Sequence, residues 1–278
     1  MQNLAGSRRD NILLVKRILR GLGARPRRRL GQSFLVDPRG LDLFARAVES
    51  VGGGPWLEVG SGPGILTCRL AQHLGSIVSV EIDWLMARAA SGLCRDEGRA
   101  LVVLGDGLAW AGLWKGMIVS NTPYNLTSAL IAATARNNSV DSAVLGMQKE
   151  LALRVMARPG SKSYGRLTVL ARLFFKPELV GVLRRDWFYP RPKVDGAIVV
   201  MRRARSYTSE LEGFERFTAC LFSQRNKLAS KVIRYCTGGF RPPPDMGDNL
   251  RVRDLPPEAI LEVFLEWRRS SWRREGSG

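Results

Sequence analysis

Between residues 56 and 148, short apolar runs alternate with stretches of helical spacing, and few folds accept that order. The runs are WLEVG (56–60), SIVSVE (76–81), ALVVL (100–104), MIVSN (117–121) and SAVLGMQ (142–148). Between them lie ILTCRLAQHL (65–74), LMARAASGLC (85–94) and LTSALIAATAR (126–136). The runs read as buried strands and the intervening stretches as helices. Strict alternation of this kind predicts an α/β fold: a doubly wound, mostly parallel sheet with right-handed crossovers and helices on both faces. Ligands of such sheets gather at the C-terminal ends of the strands.

Two more runs, FFKPELVGVL (174–183) and AIVVMRR (197–203), bring the strands to seven. They are joined by the Pro-rich FYPRPKVDG and are expected to be antiparallel at the sheet edge. Upstream, Asp37-Pro38 reads as an N-cap followed by proline at the first helical position. It opens a helix to about Ser50, which GGGP (52–55) ends. Beyond about Arg205 only helical patterns remain. The expected organisation is a basic N-terminal extension (1–30), a sheet domain (31–204) and a small all-helical C-terminal domain (205–278), with RPPPD as a loop inside the last.

Composition removes several function classes. No apolar run approaches the roughly 20 residues that a membrane span needs. The basic N-terminus holds an apolar ILLV too short for a signal-peptide core, with no small-residue cleavage site after it, and reads as the start of a cytoplasmic protein. An Arg-rich mitochondrial transit peptide is the alternative. Cys68, Cys94, Cys220 and Cys236 show no CxxC spacing, and a chain of 278 residues does not need bridges to fold, so they are expected to be reduced, mostly buried thiols. His73 is the sole histidine, which leaves no His-based metal site, triad or general-base pair, and it reads as an incidental residue near a helix end. The formal net charge of +18 favours a polyanionic partner. Lysine stands at only eight positions and arginine supplies the rest of the 43 cations. Arginine grips phosphate bidentately and stacks on bases; a general compositional preference for arginine, with its charges simply solvated, is the plainer reading.

The chemistry-bearing residues sit where the strands end. The first strand runs into Gly60-Ser61-Gly62-Pro63-Gly64, a G-x-G-x-G turn where the missing side chains let backbone approach a ligand. It lacks the G-x-G-x-x-G spacing of a dinucleotide site, and no Walker lysine follows. Glu81 closes the second strand 21 residues after Gly60, where an acid accepts from both ribose hydroxyls. Asp106, just past the third strand, can accept from an exocyclic adenine amine. Taken singly, either acid could be a helix N-cap or a solvated loop residue. Together they describe a site for adenosine without phosphates, and S-adenosylmethionine is the cofactor that fits. NTPYN (121–125) follows the fourth strand. A ring amine is a poor nucleophile because its lone pair is delocalised, so a transferase must accept its N–H groups and hold the nitrogen in line. Asn121 offers a side-chain carbonyl, Pro123 fixes the corner so that a backbone carbonyl can supply another acceptor, and Tyr124 offers a face for a base swung out of its helix. The plainer reading of these five residues is an Asn-Pro turn with a surface tyrosine.

LGQSFLVD (30–37), LEVGSGPGILT (57–67), VEID (80–83), GDGL (105–108), NTPYNLTS (121–128), FYPRPKVDGAIVVM (188–201) and FSQRNK (222–227) resemble the ordered motifs of the rRNA adenine N6-dimethyltransferases, the KsgA family. The resemblance spans roughly residues 30 to 235. It implies a Rossmann-like S-adenosylmethionine-dependent methyltransferase that dimethylates two adjacent adenosines in the 3′-terminal hairpin of small-subunit (16S) rRNA during ribosome biogenesis. It also implies a cytoplasmic monomer acting on a pre-30S-type particle, with no metal. By motif, Gln32, Ser33 and Leu35 would lie over the cofactor, and Gly60, Glu81, Asp106 and Asn121 would bind it. Asn121, Pro123 and Tyr124 would hold the target adenine, with Phe188 of FYPRP as a second stacking ring. The C-terminal helices would help grip RNA. Two positions depart from the family's usual pattern: Ser33 stands for Asn, and Thr122 for Leu. The rival readings are a macrolide-resistance methyltransferase of large-subunit rRNA, a non-catalytic ribosome-assembly factor on the same scaffold, and a DNA adenine methyltransferase.

Overall fold

The computed structural model of the chain describes residues 6–27, 30–95, 98–123, 125–243 and 249–275, with side chains up to residue 270. The strands are β1 (Phe34–Leu35), β2 (Trp56–Val59), β3 (Ile77–Glu81), β4 (Ala100–Leu104), β5 (Gly116–Asn121), β6 (Val140–Gln148), β7 (Phe175–Leu183), β8 (Phe188–Tyr189) and β9 (Gly196–Arg203). The α-helices are α1 (Arg8–Gly21), α2 (Pro38–Val51), α3 (Ile65–Leu74), α4 (Trp84–Leu93), α5 (Gly107–Leu113), α6 (Thr127–Arg136), α7 (Lys149–Val155), α8 (Arg166–Phe174), α9 (Phe214–Ser223), α10 (Ala229–Cys236) and α11 (Pro257–Glu275).

Seven strands form one sheet in the order β4-β3-β2-β5-β6-β9-β7. The pairs β4–β3, β3–β2, β2–β5 and β5–β6 are parallel, and β6–β9 is antiparallel. The chain runs outward from β2 to β4, then returns to β5 on the other side of β2. That reversal is the topological switch point at which doubly wound sheets open a crevice. Burial follows position: every residue of the central β2 is buried, whereas the edge strand β4 leaves Leu101 and Leu104 about 60% exposed.

Local chemistry explains the helix starts. Asp37 accepts from the Arg39 N–H at 3.0 Å and Pro38 occupies the first turn of α2, whose buried Leu41, Phe44, Ala45 and Val48 recur at helical intervals. Asp83 and Asp106 cap α4 and α5 in the same way.

The chain divides into two compact units, Met1–Ala152 with Pro177–Arg203, and Leu153–Lys176 with Ala204–Gly278. The expected domain limits change accordingly. The second unit also takes the 153–176 stretch, which carries α8, and the 1–30 region is no mere extension. α1 buries Asn11, Val15 and Leu19 in the first unit, and Asn11 Nδ2 donates to the Val36 carbonyl at 2.8 Å. In the second unit, Phe214, Phe217, Phe264 and Trp267 join α9 to α11 through ring contacts of 5.3–5.9 Å.

The expectation of reduced cysteines is overturned. Cys68 is bonded to Cys94 and Cys220 to Cys236. The partners lie 26 and 16 residues apart in the sequence, and helix packing brings their Cα atoms to 5.2 and 5.9 Å, within bridging range.

Candidate active site

The strand ends at the switch point open into one cavity of about 270 Å³. Its lining includes Gln32, Ser33, Leu35, Gly60, Glu81, Asp106, Asn121 and Pro123. The glycine turn after β2 shapes one side. Gly60 and Gly62 hold φ of +86° and +52°, which disfavour any side chain. A Cβ at Gly62 would lie 2.8 Å from the Phe34 ring, whereas at Gly60 the nearest atom is Pro123 Cδ at 4.0 Å, so bare backbone borders the cavity there. Gly64 serves packing instead: its Cβ would come within 2.7 Å of Ala90 Cα in α4.

The acids are oriented before any ligand arrives. Glu81 Oε2 accepts from the Gly62 N–H at 2.8 Å and Oε1 from the Asp83 N–H at 2.9 Å. Each oxygen keeps a further lone pair for a hydroxyl donor. Burial raises the Glu81 carboxyl above the ordinary range, and these backbone donors oppose the shift. Asp106 is exposed; Oδ1 caps α5 through the Leu108 N–H at 2.9 Å, and the residue still borders the cavity. Asp106 therefore caps the helix and borders the cavity at once.

Asn121 ends β5 opposite Gly146 of β6. A Cβ at Gly146 would stand 3.1 Å from Asn121 Oδ1 and 2.6 Å from the Phe44 ring, so the glycine clears space for the amide. The Pro123 carbonyl accepts from the Leu126 N–H at 2.9 Å, closing the corner. Thr122 turns inward, 2% exposed, with no partner for its hydroxyl oxygen, and so occupies a buried position in place of the family's leucine. Ser33 borders the cavity, but its hydroxyl donates to the Pro190 carbonyl at 2.7 Å and fastens the start of β1 to the chain beyond β8.

Glu58 was not singled out by its motif, although it stands on β2 directly before the glycine turn. It is fully buried and lines the cavity. Oε2 accepts from Thr67 at 2.6 Å and Ser79 at 2.8 Å, while Oε1 has no partner in the protein. Burial pushes its carboxyl up to about 7. An orphaned buried oxygen at a cavity wall suits a donor brought by a ligand. An acid in an otherwise apolar central strand was the signal that could have marked it.

Two expected residues stand apart. Phe188 is 4% exposed, pairs with Leu35 across β1–β8 and belongs to the hydrophobic core rather than to the cavity lining. Its place in the core is what a core anchor would show, and the ring does not border the cavity where a base would stack. Tyr124 lies outside the described residues.

Residues 23–268 match the family described as "Ribosomal RNA adenine dimethylase". A protein of Aeropyrum pernix named "Probable ribosomal RNA small subunit methyltransferase A" is 44% identical over 223 residues, covering 79% of this chain and 80% of its own. Among solved structures, a dimethyladenosine transferase from Plasmodium falciparum superposes with a TM-score of 0.71 at 24% identity, over 84% of this chain and 97% of that one. The 23S rRNA methyltransferase ErmE gives 0.61 at 26% identity, over 85% and 99%.

Proposed function

The chain belongs to the ribosomal RNA adenine dimethylase family, and we propose that it transfers methyl groups from S-adenosylmethionine to the N6 amines of two adjacent adenosines near the 3′ end of small-subunit rRNA. The observation that carries this reading is the single cavity shared by Glu81, Asp106 and Asn121. The acids suit the ribose and adenine ends of a nucleoside, the bare backbone of Gly60 admits its amino-acid tail, and Glu58 Oε1 suits a cationic donor on that tail.

When bound, S-adenosylmethionine supplies an electrophilic methyl group. The chain supplies position. The Asn121 amide oxygen accepts an N–H of the target amine, and the closed corner at Pro123 keeps that acceptor from swinging away. Tyr124 stacks on the extruded base. Catalysis of this kind rests on orientation, with no covalent enzyme intermediate. The substrate is the rRNA of a pre-30S-type particle in the cytoplasm, and the protein acts as a monomer.

The likeness to ErmE favours a second reading, modification of large-subunit rRNA, but the name and 44% identity of the Aeropyrum relative support the small subunit. Labelled cofactor and immature small subunits, with the modified nucleotide identified by mass spectrometry, test the choice. The expected product is dimethyladenosine in small-subunit RNA; label in large-subunit RNA alone defeats the assignment. Asn121→Ala should abolish transfer while RNA affinity stays within a few-fold, and Glu81→Ala should chiefly weaken cofactor binding.

A further inference from the structure

Asp83 and Asp106 cap successive helices with nearly the same backbone, φ and ψ of −87° and 109° against −83° and 110°. Capping needs one carboxylate oxygen, and Asp106 uses one and stays exposed. Asp83 is different: it is 4% exposed, and both its oxygens are engaged. Oδ1 accepts from the Leu85 N–H at 3.1 Å. Oδ2 accepts from Gln32 Nε2 at 3.1 Å and faces the Arg27 guanidinium at 3.5 Å. Its own N–H holds Glu81 Oε1.

Gln32 is held at both ends of its amide, since Oε1 accepts from the Arg27 N–H at 2.8 Å. It therefore bridges Arg27 to Asp83 while still bordering the cavity. Arg27 does not line the cavity, yet two hydrogen bonds through Gln32 and an ion pair connect it to Asp83, whose own N–H holds the acid that faces the ribose.

We propose that Asp83 is a positioning residue that ties the N-terminal flank of the cleft, through Arg27 and Gln32, to Glu81, so that cofactor affinity depends on a side chain outside the cavity. The proposal rests on the cofactor reading above. An ion pair with an arginine 40% exposed contributes up to about 1 kcal/mol, which is at most about a fivefold change in affinity.

The test is calorimetric binding of S-adenosylhomocysteine to the full chain, alongside KM for S-adenosylmethionine and kcat. Arg27→Ala should raise Kd and KM about two- to fivefold while kcat at saturation stays within about twofold. Arg27→Lys should recover most of that loss, because the contact is a single charge rather than a fork. Asp83→Asn keeps the helix cap and removes the charge, and should weaken binding in the same direction. If wild type binds the probe and both Arg27→Ala and Asp83→Asn bind it equally well, the linkage is overturned while the cofactor reading stands. A loss that Arg27→Lys does not restore, accompanied by a fall in melting temperature, overturns it in favour of a merely structural contact. If wild type itself does not bind the probe, the cofactor reading fails and takes the linkage with it.

Discussion

Glu58 shows how far a single side chain can tie stability to the site. Its carboxyl rises from near 4.5 to about 7 because burial disfavours the charge more than Thr67 and Ser79 favour it. An acid raised in this way binds more protons folded than unfolded, so stability falls as pH climbs from about 4.5 and the loss is complete above about 7. The shift corresponds to an upper limit of about 3 kcal/mol. Glu81 is raised in the same direction. Urea unfolding at pH 5 and 8 should therefore show a drop in wild type that is clearly smaller in Glu58→Gln; equal slopes would remove Glu58 from the account. Gly146 is the complementary case, where absence of a side chain matters. Gly146→Ala pushes a methyl against Phe44 and Asn121 Oδ1, which should cost about 1–3 kcal/mol through overpacking. On the proposed reading, in which the Asn121 amide holds the target amine, methyl transfer should fall more than cofactor affinity does. An alanine variant with wild-type turnover would show that the Asn121 amide does not need its present position.

The helices and strands differ in how much of them a reader of the sequence could see. β2 through β6 and α2 were legible to within two residues, because their apolar runs are bounded by Gly, Pro and capping Asp. α1 was obscured: its buried Asn11, Val15 and Leu19 are interleaved with arginines, and one of the three is polar, so charge dominated the reading over spacing. β1 and β8 are two residues each, too short for any period, and only their pairing buries Phe188 and draws Ser33 to Pro190. The disulfides were invisible for a related reason. Cys68 and Cys94 carry no local signal, and their meeting depends on how α3 lies against α4, as that of Cys220 and Cys236 depends on α9 and α10. Bridges closing loops of this size stabilise by about 3 kcal/mol each. Each bridge lies inside one unit, so a reductant should lower the melting temperature of both units by several degrees. Cys220→Ser/Cys236→Ser should lower that of the helical unit alone; a melting profile indifferent to reductant would argue that the bridges contribute nothing to stability.

Charge belongs to the chain as a whole. A formal charge of +18 repels itself, and the folded protein tolerates it because most of its cations reach water. Some are structural: the Arg203 guanidinium donates to the carbonyls of Thr134, Asn137 and Val140 at 2.6–2.7 Å and closes the end of α6. Others lie at the surface, some of them with a local contact, such as Arg184 with Asp186 and Arg251 with the Asn226 carbonyl. In the first unit Arg184, Arg185, Arg191 and Lys193 stand exposed around β8, and in the second Arg158, Lys162, Lys227, Lys231, Arg234 and Arg251 do the same. Both units thus present cations to a polyanion, whereas the cavity is shaped by acids, amides and bare backbone. Binding of RNA and binding of cofactor should part company in salt. A protein neutralising about five duplex phosphates loses roughly two to three orders of magnitude in affinity between about 50 and 200 mM salt. S-adenosylhomocysteine, held by local hydrogen bonds, should change by less than about threefold over the same range. Titrating each ligand across that range in parallel distinguishes the two kinds of recognition: an RNA affinity as flat as that of the cofactor would mean that the arginine excess is solvated charge with no role in gripping the ribosomal substrate.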